Sequence, residues 1–121
     1  MTTRILYVDD EEDIREVAVL ALELEPEFEV WACSSGEEAV AAAPGWRPAL
    51  ILLDVMMPRM DGPATLAKLR ELPENTFVPV VFITARTQAA ERERLLALGA
   101  AGVIAKPFDP MTLADSVRAY L

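Results

Sequence analysis

Ala49-Leu50-Ile51-Leu52-Leu53-Asp54-Val55-Met56-Met57-Pro58 is the stretch on which the fold turns. An unbroken apolar run of strand length stops there on a carboxylate. A strand that is apolar on both faces belongs inside a parallel sheet covered by helices. The C-terminal ends of such strands are where these sheets place their sites. Asp54 therefore lies where a lone acid is costly unless something pairs with it. Taken alone, it can equally be read as an acid that starts a turn.

The rest of the chain repeats the pattern. Ile5-Leu6-Tyr7-Val8 is a first strand, ending in Asp9-Asp10-Glu11-Glu12-Asp13. A helix follows, with Asp13 and Glu16 spaced as a capping box and Ile14, Val17, Ala21 and Leu24 on one face. Residues 27–33 form a second strand. Ser35 and Glu38 open a short helix that Pro44-Gly45 is expected to break after Ala43. Beyond the third strand, Gly62-Pro63 reads as a cap and a first-turn proline. That helix carries Leu66, Ala67 and Leu69 and stops before Pro73. Residues 78–84 form a fourth strand, with Pro79 near its start. Thr87 caps a helix over 88–98 that Gly99 ends. Residues 102–105 form a fifth strand, then Lys106-Pro107. Asp109-Pro110 caps a last helix running to the C-terminus. Strands alternating with helices predict an α/β fold, a five-stranded parallel sheet with helices on both faces and right-handed crossovers. The whole chain, 1–121, is read as one domain.

Composition narrows the chemistry. A chain of 121 residues that is 53% hydrophobic has the means to build a core. Its net charge of −9 disfavours direct nucleic-acid binding, which needs a basic face. With no histidine, imidazole metal sites and imidazole acid–base catalysis are excluded. The single cysteine, Cys33, excludes an internal disulfide and reads as a small buried hydrophobe. No membrane-spanning stretch or signal peptide is visible, so the expected location is the cytoplasm.

All strand C-termini of a parallel sheet share one edge. Strand one ends there in Asp9 and Asp10, strand three in Asp54, strand four in Thr84 and strand five in Lys106. Singly, each has a plain structural reading: a solvated helix cap, a turn, a satisfied hydroxyl, an exposed charge. Jointly they make a phosphoryl-transfer site. Three close carboxylates repel one another, and a hard dication relieves them, Mg²⁺ best of all. Lys106 and Thr84 neutralise further anionic oxygens while the Asp54 carboxylate attacks in line.

Four motifs carry a resemblance that covers the whole length: Val8-Asp9-Asp10-Glu11; Leu53-Asp54-Val55-Met56-Met57-Pro58 with Met60-Asp61-Gly62; Ile83-Thr84-Ala85; and Ala105-Lys106-Pro107-Phe108. Together, in this order and spacing, they resemble the receiver domains of bacterial two-component response regulators. The resemblance implies a doubly wound, flavodoxin-like (βα)5 sandwich with strand order 2-1-3-4-5. It implies phosphorylation of Asp54 by a sensor histidine kinase or a histidine phosphotransfer protein. Mg²⁺ would be held by Asp10 and Asp54 directly, by Asp9 mostly through water, and by the backbone carbonyl of Met56. Thr84 and Lys106 would contact the phosphoryl oxygens, and the Lys106–Pro107 bond would be cis. The first helix and the loop after the fifth strand would dock the kinase. The face of helix four, strand five and helix five would switch a downstream effector protein or an appended output domain. The resemblance leaves open a phosphorylation-dependent homodimer, for which Glu91-Arg92-Glu93-Arg94 is a candidate strip. A domain of this kind is not an enzyme with turnover; it catalyses only its own phosphorylation and dephosphorylation.

Two positions set this chain apart. Receivers usually carry an aromatic ring or histidine three residues before the lysine, and here that position is Val103. A valine cannot perform the same rotamer switch, which shifts the expected coupling onto the loop after Thr84 and helix four. Met56 and Arg86, two residues beyond Asp54 and Thr84, are bulky, and predict a long-lived phosphoryl group. Rival functions fit less well. An Mg²⁺-dependent aspartate-nucleophile phosphatase would need an acid where Met56 stands. A flavodoxin-like cofactor binder would need a phosphate-cradling loop where residues 9–13 are acidic.

Overall fold

In the computed structural model, which describes residues 2–121, every residue of the central strand β3 (Leu50–Asp54) is buried. The other strands are β1 (Thr3–Val8), β2 (Phe28–Cys33), β4 (Val80–Thr84) and β5 (Gly102–Ala105). The helices are α1 (Glu12–Glu23), α2 (Gly36–Trp46), α3 (Gly62–Arg70), α4 (Ala89–Ala97) and α5 (Leu113–Arg118), with a 3₁₀ turn at Pro73–Asn75. The strands are all parallel, in the order β2-β1-β3-β4-β5. This is the doubly wound flavodoxin-like fold expected from the sequence.

Strand alternation splits the core in two. Leu6, Val8, Leu53, Leu66, Leu69 and Phe82 pack on the side of α2 and α3. Ile5, Tyr7, Leu22, Leu52, Ile83 and Val117 pack on the side of α1 and α5. Cys33 is fully buried, as expected, and burial pushes its thiol up to about 12. Leu95 is the one buried residue of α4. Leu96 and Leu98, which helical spacing would place in the core, are exposed.

Several local expectations shift. The α1 N-cap is Glu11, without a side-chain cap bond, and Asp13 lies in the first turn. The helix starts early because the Asp9 carboxylate accepts the Glu11 N–H at 3.0 Å, turning the chain there. The buried face of α1 is Ala18, Ala21 and Leu22 with Ile14 packed beside them. Val17 and Leu24, expected in the core, are 41% and 79% exposed.

The helix α2 opens as expected: Ser35 Oγ accepts the Glu38 N–H, and Glu38 Oε2 accepts the Ser34 N–H. It then runs through Pro44 to Trp46 instead of breaking. A proline in the last turn forfeits a single backbone bond. That turn is held by Arg47, in the left-handed conformation, donating to Ala43 O at 2.9 Å. It is also held by Trp46, edge-on to Trp31 at 5.6 Å.

The cap of α3 is Asp61, one residue before the expected Gly62, and it accepts the Ala64 N–H at 2.9 Å. The cap of α4 is Gln88, not Thr87, and Gly99 ends that helix at φ 105°. Strand β4 begins after Pro79, whose carbonyl accepts the Ile51 N–H at 3.0 Å. Asp109 closes a turn by accepting the Met111 N–H at 2.9 Å, so α5 starts only at Leu113 and is shorter than expected.

Asn75 ends the 3₁₀ turn fully buried, and neither its side-chain oxygen nor its nitrogen has a hydrogen-bond partner among the described residues. An orphaned buried amide costs about 1–3 kcal/mol. Asn75→Leu, branched at the same atom and free of that cost, is expected to raise the urea midpoint by the equivalent of about 1 kcal/mol. An unchanged or lower midpoint would show that water satisfies the amide.

Candidate functional site

Register assembles the site before any side chain is considered. Val8 stands opposite Leu53, so Asp9 follows beside Asp54. Asp54 stands opposite Ile83, so Thr84 is one step beyond. Thr84 stands opposite Ala105, so Lys106 is one step beyond that. The four strand ends bring Asp9, Asp54, Thr84 and Lys106 to a single edge, as the sequence predicts.

The loop leaving Asp54 is pulled back onto the strand end. Gly62 N–H donates to Val55 O at 2.9 Å. A Cβ at Gly62 would lie 2.6 Å from the Asp54 carbonyl oxygen, so only glycine allows α3 to begin so close. Met56, in that loop, is 65% exposed.

Asp9 is fully buried and fully engaged. Its Oδ2 accepts from Tyr7 Oη at 3.1 Å and from Lys106 Nζ at 3.1 Å, and its Oδ1 from the Glu11 backbone. Its carbonyl accepts from Arg15 Nη1 at 2.8 Å, which ties α1 to the site. Lys106 Nζ lies 2.9 Å from Glu11 Oε1 and 3.6 Å from Asp54 Oδ2. One ammonium thus serves three carboxylates. Burial opposes its charge, but the hydrogen bonds it donates to Glu11 and Asp9 and the charge of Asp54 outweigh that and hold its proton affinity above the ordinary lysine range. The Lys106–Pro107 bond is cis, as expected.

Asp54 is 3% exposed. Burial and the neighbouring Asp9 charge push its carboxyl up to about 7, against the pull of Lys106. Thr84 is equally buried, and its Oγ1 accepts the Arg86 N–H at 3.0 Å. That bond uses a lone pair and leaves the hydroxyl hydrogen free to donate.

Asp9, Asp10 and Asp54 each offer a carboxylate oxygen, and these oxygens lie within 4.8 Å of one another. All three are hard oxygen donors, and with Asp10 open to solvent the set suits a dication that keeps part of its water shell, as Mg²⁺ does.

Two participants are missing from the sequence reading. Glu11 reads there as part of a solvated acidic cap, yet its carboxylate pairs with Lys106 across 95 residues of chain. Tyr7 reads as one more strand hydrophobe, yet its phenol reaches Asp9. The available signal was a hydroxyl-bearing ring two residues before Asp9, on the same side of an otherwise aliphatic strand.

Comparison with known proteins agrees with this geometry. The family model described as "Response regulator receiver domain" matches residues 5–118. The transcriptional regulatory protein SrrA of Staphylococcus aureus is 39% identical over 121 residues, which is 100% of this chain and 48% of SrrA. The chain thus spans about half the length of the curated relatives it matches. Among solved structures, the chemotaxis response regulator CheY4 of Vibrio cholerae superposes with a TM-score of 0.93 at 31% identity, covering 100% of both chains. The signal receiver domain of a signal transduction histidine kinase from Syntrophus aciditrophicus gives 0.85 at 32% identity, over 99% of this chain and 90% of that one. The strand order, the edge of acids with one lysine, and the match across nearly the full length lead to one assignment: the chain belongs to the response regulator receiver domains.

Proposed function

We propose that Asp54 is the phosphoacceptor of this receiver and takes its phosphoryl group from a phosphohistidine on a sensor histidine kinase or a histidine phosphotransfer protein. The observation that carries this reading is the convergence of Asp54 with Thr84 and Lys106 beside the carboxylates of Asp9 and Asp10. A carboxylate oxygen of Asp54 attacks phosphorus, the P–N bond breaks, and an acyl phosphate forms. Lys106, 3.6 Å from Asp54, neutralises a phosphoryl oxygen, and the Thr84 hydroxyl donates to another. Mg²⁺, held by Asp10, Asp54 and the Met56 carbonyl with Asp9 through water, would supply further charge for the phosphoryl oxygens. The domain catalyses only its own phosphorylation and dephosphorylation, because Met56 offers no acid where a phosphatase needs one. The bulk of Met56 and Arg86, on the loops after Asp54 and Thr84, supports slow hydrolysis.

Docking follows the exposed apolar surface. Val17, Leu20, Leu24, Pro110 and Met111 line an open cleft of about 270 Å³ between α1 and the loop before α5. This supports the kinase docking on that side. Output passes to a downstream effector or an appended domain through α4, β5 and α5. Val103 is buried in the same apolar cluster as Leu95, so no ring is available to move. Thr84 Oγ1 instead holds Arg86 N–H, so drawing that hydroxyl toward a phosphoryl group loosens the loop leading to α4.

Three measurements test these statements. Intact mass after incubation with a small acyl-phosphate donor is expected to show one Mg²⁺-dependent phosphoryl adduct, absent in Asp54→Asn. Donor consumption without an adduct would establish a phosphatase instead.

Stability against pH reads the state of Asp54. A carboxyl raised to about 7 in the fold, from an ordinary 3.8, contributes stability that is fully present below about pH 4 and lost as pH rises through about 7. In a metal chelator, Asp54→Asn is therefore expected to gain on the wild type by roughly 2 kcal/mol between pH 5 and pH 8. A gap that is flat with pH would show that Asp54 is not the strained group.

Amide exchange reads the output. With beryllofluoride bound, exchange rates in 85–97 are expected to change more than those in α1–α3. Equal rates in the free and bound forms would remove α4 from the switch.

A further inference from the structure

Tyr7 has a side chain whose packing and whose hydroxyl ask for different explanations. The ring is fully buried among the apolar residues on the α1 and α5 side, where a phenylalanine would pack as well. The hydroxyl is the anomaly, since a buried phenol is costly unless it is hydrogen-bonded. Its partner is Asp9 Oδ2, 3.1 Å away, the same oxygen that Lys106 Nζ reaches at 3.1 Å.

We propose that Tyr7 is a positioning residue for the metal-binding carboxylates: its hydroxyl holds Asp9 in place when Lys106 leaves it. The proposal rests on Asp54 being the phosphoacceptor. Lys106 Nζ is 3.1 Å from Asp9, 2.9 Å from Glu11 and 3.6 Å from Asp54, so serving a phosphoryl group on Asp54 draws it away from the first two. Asp9 Oδ2 then keeps one donor, and that donor is Tyr7. The ring sits on a central strand flanked by β2 and β3, so its hydroxyl cannot follow Lys106. The Glu11 N–H, fixed by the start of α1, holds the other oxygen, Oδ1. Together the two clamp the carboxylate plane without help from the mobile cation. Partners that orient a metal's ligands commonly govern affinity by about 10–100-fold, and because Asp9 acts through water the lower end of that range applies to Tyr7.

Tyr7→Phe deletes one oxygen and keeps the ring that fills the core. Mg²⁺ affinity is read from the rise in unfolding temperature with Mg²⁺, and separately from the Mg²⁺ concentration that half-saturates phosphorylation by a small acyl-phosphate donor. Both are expected to show about tenfold weaker binding in Tyr7→Phe. In an Asp9→Asn background the same change is expected to have no further effect on either, which separates an action through Asp9 from a general loss of stability. Midpoints measured in a chelator report that general loss independently. If the wild type binds Mg²⁺ and is phosphorylated while Tyr7→Phe matches its Mg²⁺ dependence, the inference is overturned and the phosphoacceptor reading stands. A further loss of equal size in Asp9→Asn would also overturn it. If the wild type shows neither Mg²⁺ binding nor an adduct, both readings fall together.

Discussion

A single ammonium, Lys106 Nζ, holds together a cluster of acids that the fold forces into one place. Asp9, Glu11 and Asp54 all lie within 3.6 Å of it. Asp10 stands beside them and contributes a fourth carboxylate. Four acids facing one lysine leave a deficit of positive charge that the protein meets in two ways. Asp54 is pushed up to about 7, which makes its negative charge partial near neutrality. The remaining oxygens stay close enough to share a dication. The site is therefore under tension by construction, and added cationic charge would relieve it.

The tension is sustained because the sheet is stiff where the acids sit. Strands β1, β3 and β4 are buried at every residue near the site, and both faces are covered. The acids cannot move apart without unpairing strands. Helix α4 and the loop that leads to it are held far more loosely. Helix α4 buries only Leu95, and the residues between Thr84 and the start of that helix are exposed. Segments with few buried apolar contacts open at low free-energy cost. The chain thus joins a rigid chemical edge to a weakly anchored helix, with Thr84 at the junction.

The parts legible in the sequence were those fixed by strand periodicity. A strand that ends on Asp54 says which residue reaches the edge, and the same logic places Thr84 and Lys106. The misread parts were governed by single local bonds or by side-chain reach. Val17 and Leu24 fit a helical face as well as Ala18 and Leu22 do, and only the neighbouring sheet decides between them. Pro44 reads as a break, but the left-handed Arg47 and Trp46, packed edge-on to Trp31, complete the turn around it. Asp109 caps a turn instead of a helix, and no spacing distinguishes the two. Glu11 reaches Lys106 only because the chain turns early, at a bond made by Asp9.

The replacement of a switch aromatic by Val103 follows from the same arrangement. A ring that moves inward on activation needs a space kept for it and an exposed starting position. Val103 is buried against the cluster that holds Leu95, so that space is already filled by apolar packing. What remains free to respond to the chemistry is polar: the Thr84 hydroxyl and the Arg86 N–H that it accepts at 3.0 Å. Breaking that bond exposes a backbone donor in a segment that water can reach, so the loop has many conformations of similar energy once released. Under the proposed function, a signal carried this way would move α4 by removing a restraint. It requires no second well-packed state, which suits a helix held to the domain by one leucine.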